Sequence, residues 1–281
     1  MDPAESEAVV RDRISVRTQS AHIGWAATTF LVIVAGVGLI LASLYVTLSS
    51  DLAGGVKLRG LLAVALFAGG LLCWALHYDY NVAPPRLGEL LDAVFERGAS
   101  EIAYAKTLTK VMNAIALIAI SLVTLALCIM LSASADPMHQ NASVLALQMR
   151  WEQILLYVSA AALTLGAREV SLLYTWPSAW FPEAIAKDIE RLASAAATGG
   201  GVVLSIVLLA IFVPAELVLR ARAQVLARSA NPQGTAKDHG EWLAARDLAG
   251  LDFKSFTTLG AILGPVLASG PLSVVLKGVG G

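Results

Sequence analysis

Arg168 and Glu169 stand side by side in "LTLGAREVSLLYTW", residues 163–176, a stretch that would otherwise dissolve in lipid. A charge at membrane depth costs roughly 2.5–3.5 kcal/mol on insertion scales, so such side chains face a bundle interior or a wet cavity. Adjacent helix positions point about 100° apart, so the two cannot satisfy one another and each needs a partner elsewhere. Two roles are open: charges lining a pore, or an arginine that ends a span and snorkels to phosphates. Glu216, two residues after Pro214 in "IFVPAELVLRAR", poses the same choice between a pore mouth and the start of a polar helix. Pro214 frees the carbonyl at position 210 and is a candidate hinge. Arg220, Arg222 and Arg228, with Arg246 further on, are candidates for holding phosphate groups, of lipid or of a nucleotide ligand.

No signature of an enzyme accompanies these residues. His22, His77, His139 and His239 are scattered without metal-ligand spacing, and GxSxG, P-loop, HExxH and CxxC patterns are absent. Cys73 and Cys128 lie inside apolar runs and read as small core residues, not as a disulfide or metal site. "GGGVV" at 199–203 suits either an anion site at a helix start or a flexible hinge. We expect a protein with no catalytic residues, no metal and no cofactor.

Something must hold those charges, and the composition says what. Of 281 residues, 57% are hydrophobic and 15% charged, against about 25% charged in an ordinary soluble domain. This is a membrane protein, and its Ala-, Leu- and Val-rich spans with few lysines suit a bacterial inner membrane. The first 20 residues hold no apolar core of a signal peptide, so the first span must do the targeting. Intervals free of Asp, Glu, Lys and Arg run over 18–50, 60–78 and 111–135, each sufficient for the roughly 20 residues of a crossing helix. A fourth, 153–167, has only 15 residues, about 22 Å, and spans only if the flanking charges reach an interface or are buried in protein. Further apolar intervals cover 192–215 and 255–276. Between them, paired prolines at 84–85 stop the second helix, "RLGELLDAVFER" has helical spacing, and Ser100-Glu101 opens a helix running into the third span. Trp176, Trp180 and Phe181 resemble a headgroup-level belt, and "NPQG" at 231–234 reads as a turn.

Charge decides which intervals cross. With four crossings, one side collects three Lys and Arg from the N-terminal tail, four from 79–110, two from 175–191 and seven from 220 onward. The other side collects two from 50–59 and one from 133–151. Sixteen against three is a strong positive-inside bias, whereas five or six crossings leave the two sides equal. The expected architecture is all-α: a polytopic bundle of about four crossings with cytoplasmic helices, an apolar tail and both termini cytoplasmic. Residues 1–23 form a cytoplasmic segment and 24–175 the membrane region, with cytoplasmic helices at 79–110. Residues 176–250 form amphipathic and basic helices, cytoplasmic or re-entrant. Residues 251–281 form a tail bent at Gly264-Pro265 and Gly270-Pro271, suited to be a gate or plug. Five or six ordinary spans remain the competing layout.

Apolar segments that do not cross must be covered, and sister subunits are the natural cover. Ala35, Gly36, Gly38, Ala65 and Gly69 permit close helix contact. The tail supplies a further clue in Trp242-Leu243, Gly250-Leu251, Pro265 and Gly270-Pro271-Leu272. That block of roughly 40 residues, taken with the chain's size and span layout, resembles the channel-forming effectors of bacterial anti-phage defence of the Hailong type. The resemblance implies a tetramer-like channel held shut by a nucleotide or oligonucleotide signal. The expected function is therefore a homo-oligomeric gated ion channel that depolarises the membrane, with Arg168, Glu169 and Glu216 tuning its pore. A small secondary transporter, or a membrane scaffold recruiting a cytoplasmic partner, are the alternatives.

Overall fold

Inside a bilayer each backbone N–H and C=O must be bonded within the protein, which leaves helices as the economical solution for an apolar chain. The computed structural model of the chain describes residues 3–50, 54–77, 99–132, 141–175, 183–248 and 256–268. Among the described residues there are seven helices and no strand: α1 (Pro3–Ser49), α2 (Gly54–His77), α3 (Ala99–Ser132), α4 (Ala142–Thr175), α5 (Glu183–Ala230), α6 (Ala236–Ala244) and α7 (Phe256–Ala268). Four segments are long and apolar enough to cross a membrane: His22–Ser49, Lys110–Ser132, Ala142–Leu173 and Ala186–Ala230. The protein is an all-α, multi-pass membrane bundle. The helix expected over 86–97, the aromatics Trp176, Trp180 and Phe181, and the bend at Gly270-Pro271 lie outside the described residues.

The bundle is assembled on stripes of small and polar side chains. In α1 the buried positions Trp25, Thr29, Val32, Gly36, Leu39, Ser43 and Val46 alternate in steps of four and three, with Thr47 buried beside the last. That 3.5-residue period is the seam of a left-handed helix pair. Its outer face carries Phe30, Leu31, Val34, Leu41 and Leu48, all exposed, as a lipid-facing surface requires. Gly36 permits the closest approach to α3, since a Cβ there would stand 2.6 Å from Ile115 Cγ2.

Side-chain contacts fix the directions. Tyr45 packs on Trp151 with ring centroids 5.4 Å apart, and Trp25 reaches Glu169 at the other end of α4, so α1 and α4 are antiparallel. Gln148 Nε2 donates to the Met130 carbonyl at 3.1 Å, and Arg222 donates to the Leu131 carbonyl at 2.6 Å. The C-terminal ends of α1, α3 and α5 therefore gather with the start of α4. Asn141 opens α4 there, its side chain accepting from Ser143 N at 3.2 Å and its carbonyl from Val144 N and Leu145 N.

The segment after α4 is a single long element. Residues 201–219 lie inside α5, one 48-residue helix running unbroken through Gly199–Gly201 and Pro214. Its most extensive packing is against α4. Trp25 and the polar segment after α5 lie at opposite ends of the bundle. Arg220 is tied to Glu216 and Arg222 caps the carbonyl of Leu131. Cations engaged inside the protein weigh on topology differently from free ones in a connector.

Beyond α5 the chain turns sharply. Gly234 N donates to the Asn231 carbonyl at 3.0 Å, in the turn expected at "NPQG". α6 follows with a reciprocal cap: Thr235 Oγ1 accepts from Asp238 N at 3.3 Å and Asp238 Oδ2 accepts from Thr235 N at 2.8 Å. α6 closes with Leu248 N donating to the Leu243 carbonyl at 2.9 Å and Asp247 in the left-handed region at φ 56°. Leu248 is buried against the bundle.

α7 then returns to the membrane helices. Thr258 Oγ1 lies 3.4 Å from Tyr157 Oη, and a Cβ on Gly264 would stand 2.5 Å from Thr164 Oγ1. Both pairings advance together, so α7 runs parallel to α4, in contact with α4 and α5. Its 13 residues rise about 20 Å, short of the roughly 30 Å hydrocarbon core. Pro265 lies within this helix and is buried.

Candidate functional site

Among the described residues three carboxylates are sealed inside the bundle: Glu152 and Glu169 on α4 and Glu216 on α5, each 0% exposed. Carboxylates are almost never fully buried unless paired or bonded, so each demands an account. Glu169 accepts from Trp25 Nε1 at 2.7 Å. Thr29 adds a long contact of 3.5 Å, its hydroxyl mainly serving the Trp25 carbonyl at 2.9 Å. Trp25 and Thr29 are four residues apart and so lie one above the other on the face α1 turns to α4. His22, one turn earlier, stacks on Trp25 at 6.0 Å between ring centroids.

The other two carboxylates meet across the α4–α5 seam. Glu152 faces Glu216 and, beyond it, Arg220. Arg220 lies one turn after Glu216 and donates to it in a charge-assisted hydrogen bond. Gln148, one turn before Glu152, is also buried and is held by the Met130 carbonyl. This end of the bundle therefore carries a polar layer drawn from α3, α4 and α5.

Seventeen residues of α4 separate Glu152 from Glu169, about 25 Å of helix. A cavity of 430 Å³ occupies the interval, with Val32, Gly36, Ala119, Ser159, Gly166 and Gly200 among its lining residues. The wall is almost wholly apolar. Ser159 and Asn113 are the polar residues of this lining, the Ser159 hydroxyl being buried and without a hydrogen-bond partner. Glycines from three helices hollow out this space.

The residues singled out by sequence thus fall into separate places. Glu169 and Glu216 are both interior but belong to different layers, and both face their own protomer. Arg168 is exposed, about 100° around α4 from Glu169. Pro214 is exposed within continuous helix, and Gly264 and Pro265 lie within α7, where Gly264 serves close packing. The four arginines do not converge. Arg220 and Arg222 are engaged as described, Arg228 is exposed, and Arg246 lies 4.2 Å over the ring of Trp242. Among the described residues no group of three or more His, Cys, Asp and Glu could hold a metal.

Sequence reading passed over Glu152, Gln148, Trp25 and Thr29. Glu152 reads as the charged end of a short apolar interval, since in one dimension nothing marks it as facing another carboxylate. The four-residue spacings Gln148–Glu152 and Trp25–Thr29 are the signals that were there to use. No family model, curated protein or solved structure matches the chain.

Proposed function

We propose that the protein is a gated ion channel whose polar path follows the α4–α5 seam and whose gate is the tail helix α7. The observation that carries this reading is the seat of α7. An apolar helix too short to cross lies lengthwise on the two helices that hold the buried carboxylates, pinned where Gly264 meets Thr164. Non-helical or half-length elements at membrane depth occur where they border a path or cavity. The outward apolar faces of α1, α2 and α5 suit lipid and also sister subunits, and a closed homo-oligomer is part of the proposal. A tetramer, and a depolarising role in bacterial defence, are what the tail resemblance adds. A nucleotide or oligonucleotide signal would find Arg228 and Arg246 exposed, the other two arginines being occupied.

Planar-bilayer recording of purified protein tests the gate. Intact protein should be largely closed, and removal of residues 251–281 should raise open probability. Gly264→Ala, which pushes α7 off Thr164, should do so more weakly. Silence from all three proteins in bilayers overturns the channel reading.

A second reading, a small secondary transporter, is favoured by one feature: an apolar cavity bracketed by buried carboxylates on helices that pack through glycines. Substrate-dependent uptake into proteoliposomes without ionic current would select it.

A further inference from the structure

The 430 Å³ cavity between the levels of Glu152 and Glu169 is far larger than the voids that close packing leaves in a protein interior. It is a slot with a direction. Its lining runs from Met112 to Val123 on α3, from Ser159 to Val170 on α4 and from Gly200 to Phe212 on α5. Each stretch is about 17 Å of helix. The slot therefore lies along the helix axes and covers about half of the roughly 30 Å hydrocarbon core.

One end of the slot is polar. Lys110 begins the apolar stretch of α3, and Asn113, three residues on and so on the same face, lines the cavity. On α4, Arg168 stands two residues before Val170. That end lies at headgroup level, and the other, at Val123 and Phe212, lies near the middle of the bilayer.

The slot also has a way in. α1 packs on α3 and on α4, and α4 packs on α5, but α3 and α5 scarcely meet. Gly200 and Val203 of α5 line the slot and are exposed, so it is open where they stand, beside the polar end. Beyond its other end, Arg222 on the Leu131 carbonyl ties α5 to α3. Two of the lining glycines hold space instead of packing. A Cβ on Gly166 or on Gly200 would meet nothing within 4 Å, whereas one on Gly36 would strike Ile115.

A roomy cavity with an almost wholly apolar wall takes an apolar occupant, not water. A helix of a sister subunit, about 10–12 Å across, is too thick to enter a seam tied at one end. A single hydrocarbon chain is thin enough, and the bilayer supplies one at this depth, with a phosphate to set beside Lys110.

We propose that the slot is a lipid-binding site that holds one acyl chain of a membrane phospholipid. The chain enters between α3 and α5, with its headgroup at the Lys110 end. It gives dispersion contacts to a wall that otherwise faces a void. The site stands whether or not the protein conducts, and its test is independent of bilayer current.

A phospholipid with a photoreactive diazirine on its acyl chain tests the site in vesicles holding the full chain. Ala119, Leu163 and Leu208 line the slot and are buried, out of reach of lipid around the bundle. Phe30 and Leu31 face outward. After illumination, mass spectrometry of the digested protein should find adducts in both groups. Gly166→Leu and Gly200→Leu fill the slot, and each should lose the adducts on the buried three while keeping those on Phe30 and Leu31. A diazirine fatty acid, which lacks the phosphate, should label the buried three less than the phospholipid does. Wild-type adducts confined to Phe30 and Leu31 overturn the proposal, whether the slot is then empty or filled by protein. Buried adducts that persist in both glycine variants overturn it too. Equal labelling by the fatty acid removes the phospholipid as the occupant. Should neither variant keep wild-type helicity and elution volume, the wild-type pattern and the fatty-acid comparison decide alone.

Discussion

At the scale of single residues, the interior of this bundle is organised by who donates to each buried carboxylate. Glu169 depends on the indole N–H of Trp25, 2.7 Å away. Trp25→Phe keeps most of the ring volume and removes the donor. A buried acceptor left without its partner costs about 2 kcal/mol, so the variant should melt at lower temperature in detergent than wild type. An unchanged melt would mean that water reaches Glu169. Sequence shows that Glu169 needs a partner but not which one. Trp25 lies 144 positions away, and nothing in one dimension pairs them. Glu152 is the sharper case, since the same residue reads as an interfacial charge until α5 brings Glu216 against it. Arg220 and Arg222 illustrate the converse, being counted as free cations along the chain and engaged internally in the fold.

At the scale of elements, α6 is the part whose stability rests on local chemistry legible in its sequence. Thr235 and Asp238 have the spacing of a reciprocal cap, and the structure forms it. The backbone N–H and the hydroxyl of Thr235 both donate to Asp238 and hold its carboxyl below the usual carboxylate range. A carboxyl lowered on folding stabilises the helix above its unfolded value, and that contribution is lost as pH falls through the lower folded value. Amide exchange in α6, normalised for intrinsic rates, should therefore be slow at neutral pH and quicken in acid. Asp238→Asn should flatten that dependence; a pH dependence surviving in Asp238→Asn would place it elsewhere. The membrane helices behave differently. Lipid makes both faces of a span apolar, so the pattern that marks the buried face of a soluble helix is missing from α1 and α5. What remains is the run of small and polar side chains, as in Trp25, Thr29, Gly36 and Ser43, and that run is weak until a partner helix is known.

At the scale of the whole molecule, direction is the open consequence. α1, α3 and α5 run alike, antiparallel to α4, and the polar segment after α5 leaves from the end far from Trp25. If α5 crosses, as its length and composition allow, positions 19 and 240 lie on opposite sides of the membrane. Single cysteines replacing Gln19 and Gly240, in a background with Cys73 and Cys128 changed to serine, should react with an impermeant maleimide from opposite faces. Labelling from one face would support the four-crossing layout suggested by counting Lys and Arg.

Composition and charge-free intervals were enough to establish a helical membrane protein, because crossing a hydrocarbon core demands long apolar helices and little else satisfies the backbone there. The turn at 231–234 and the helix opened near Ser100 were also readable, since each depends on neighbours in sequence. Tertiary structure alone decided that 183–230 is one helix lying along α4, that α7 returns to the bundle at half length, and that Glu152 faces Glu216. The reason is common to all three: in lipid, apolar side chains do not choose between neighbour and solvent. The arrangement is set by close packing at small residues and by matching of buried polar groups, and both are properties of pairs of helices rather than of any one segment.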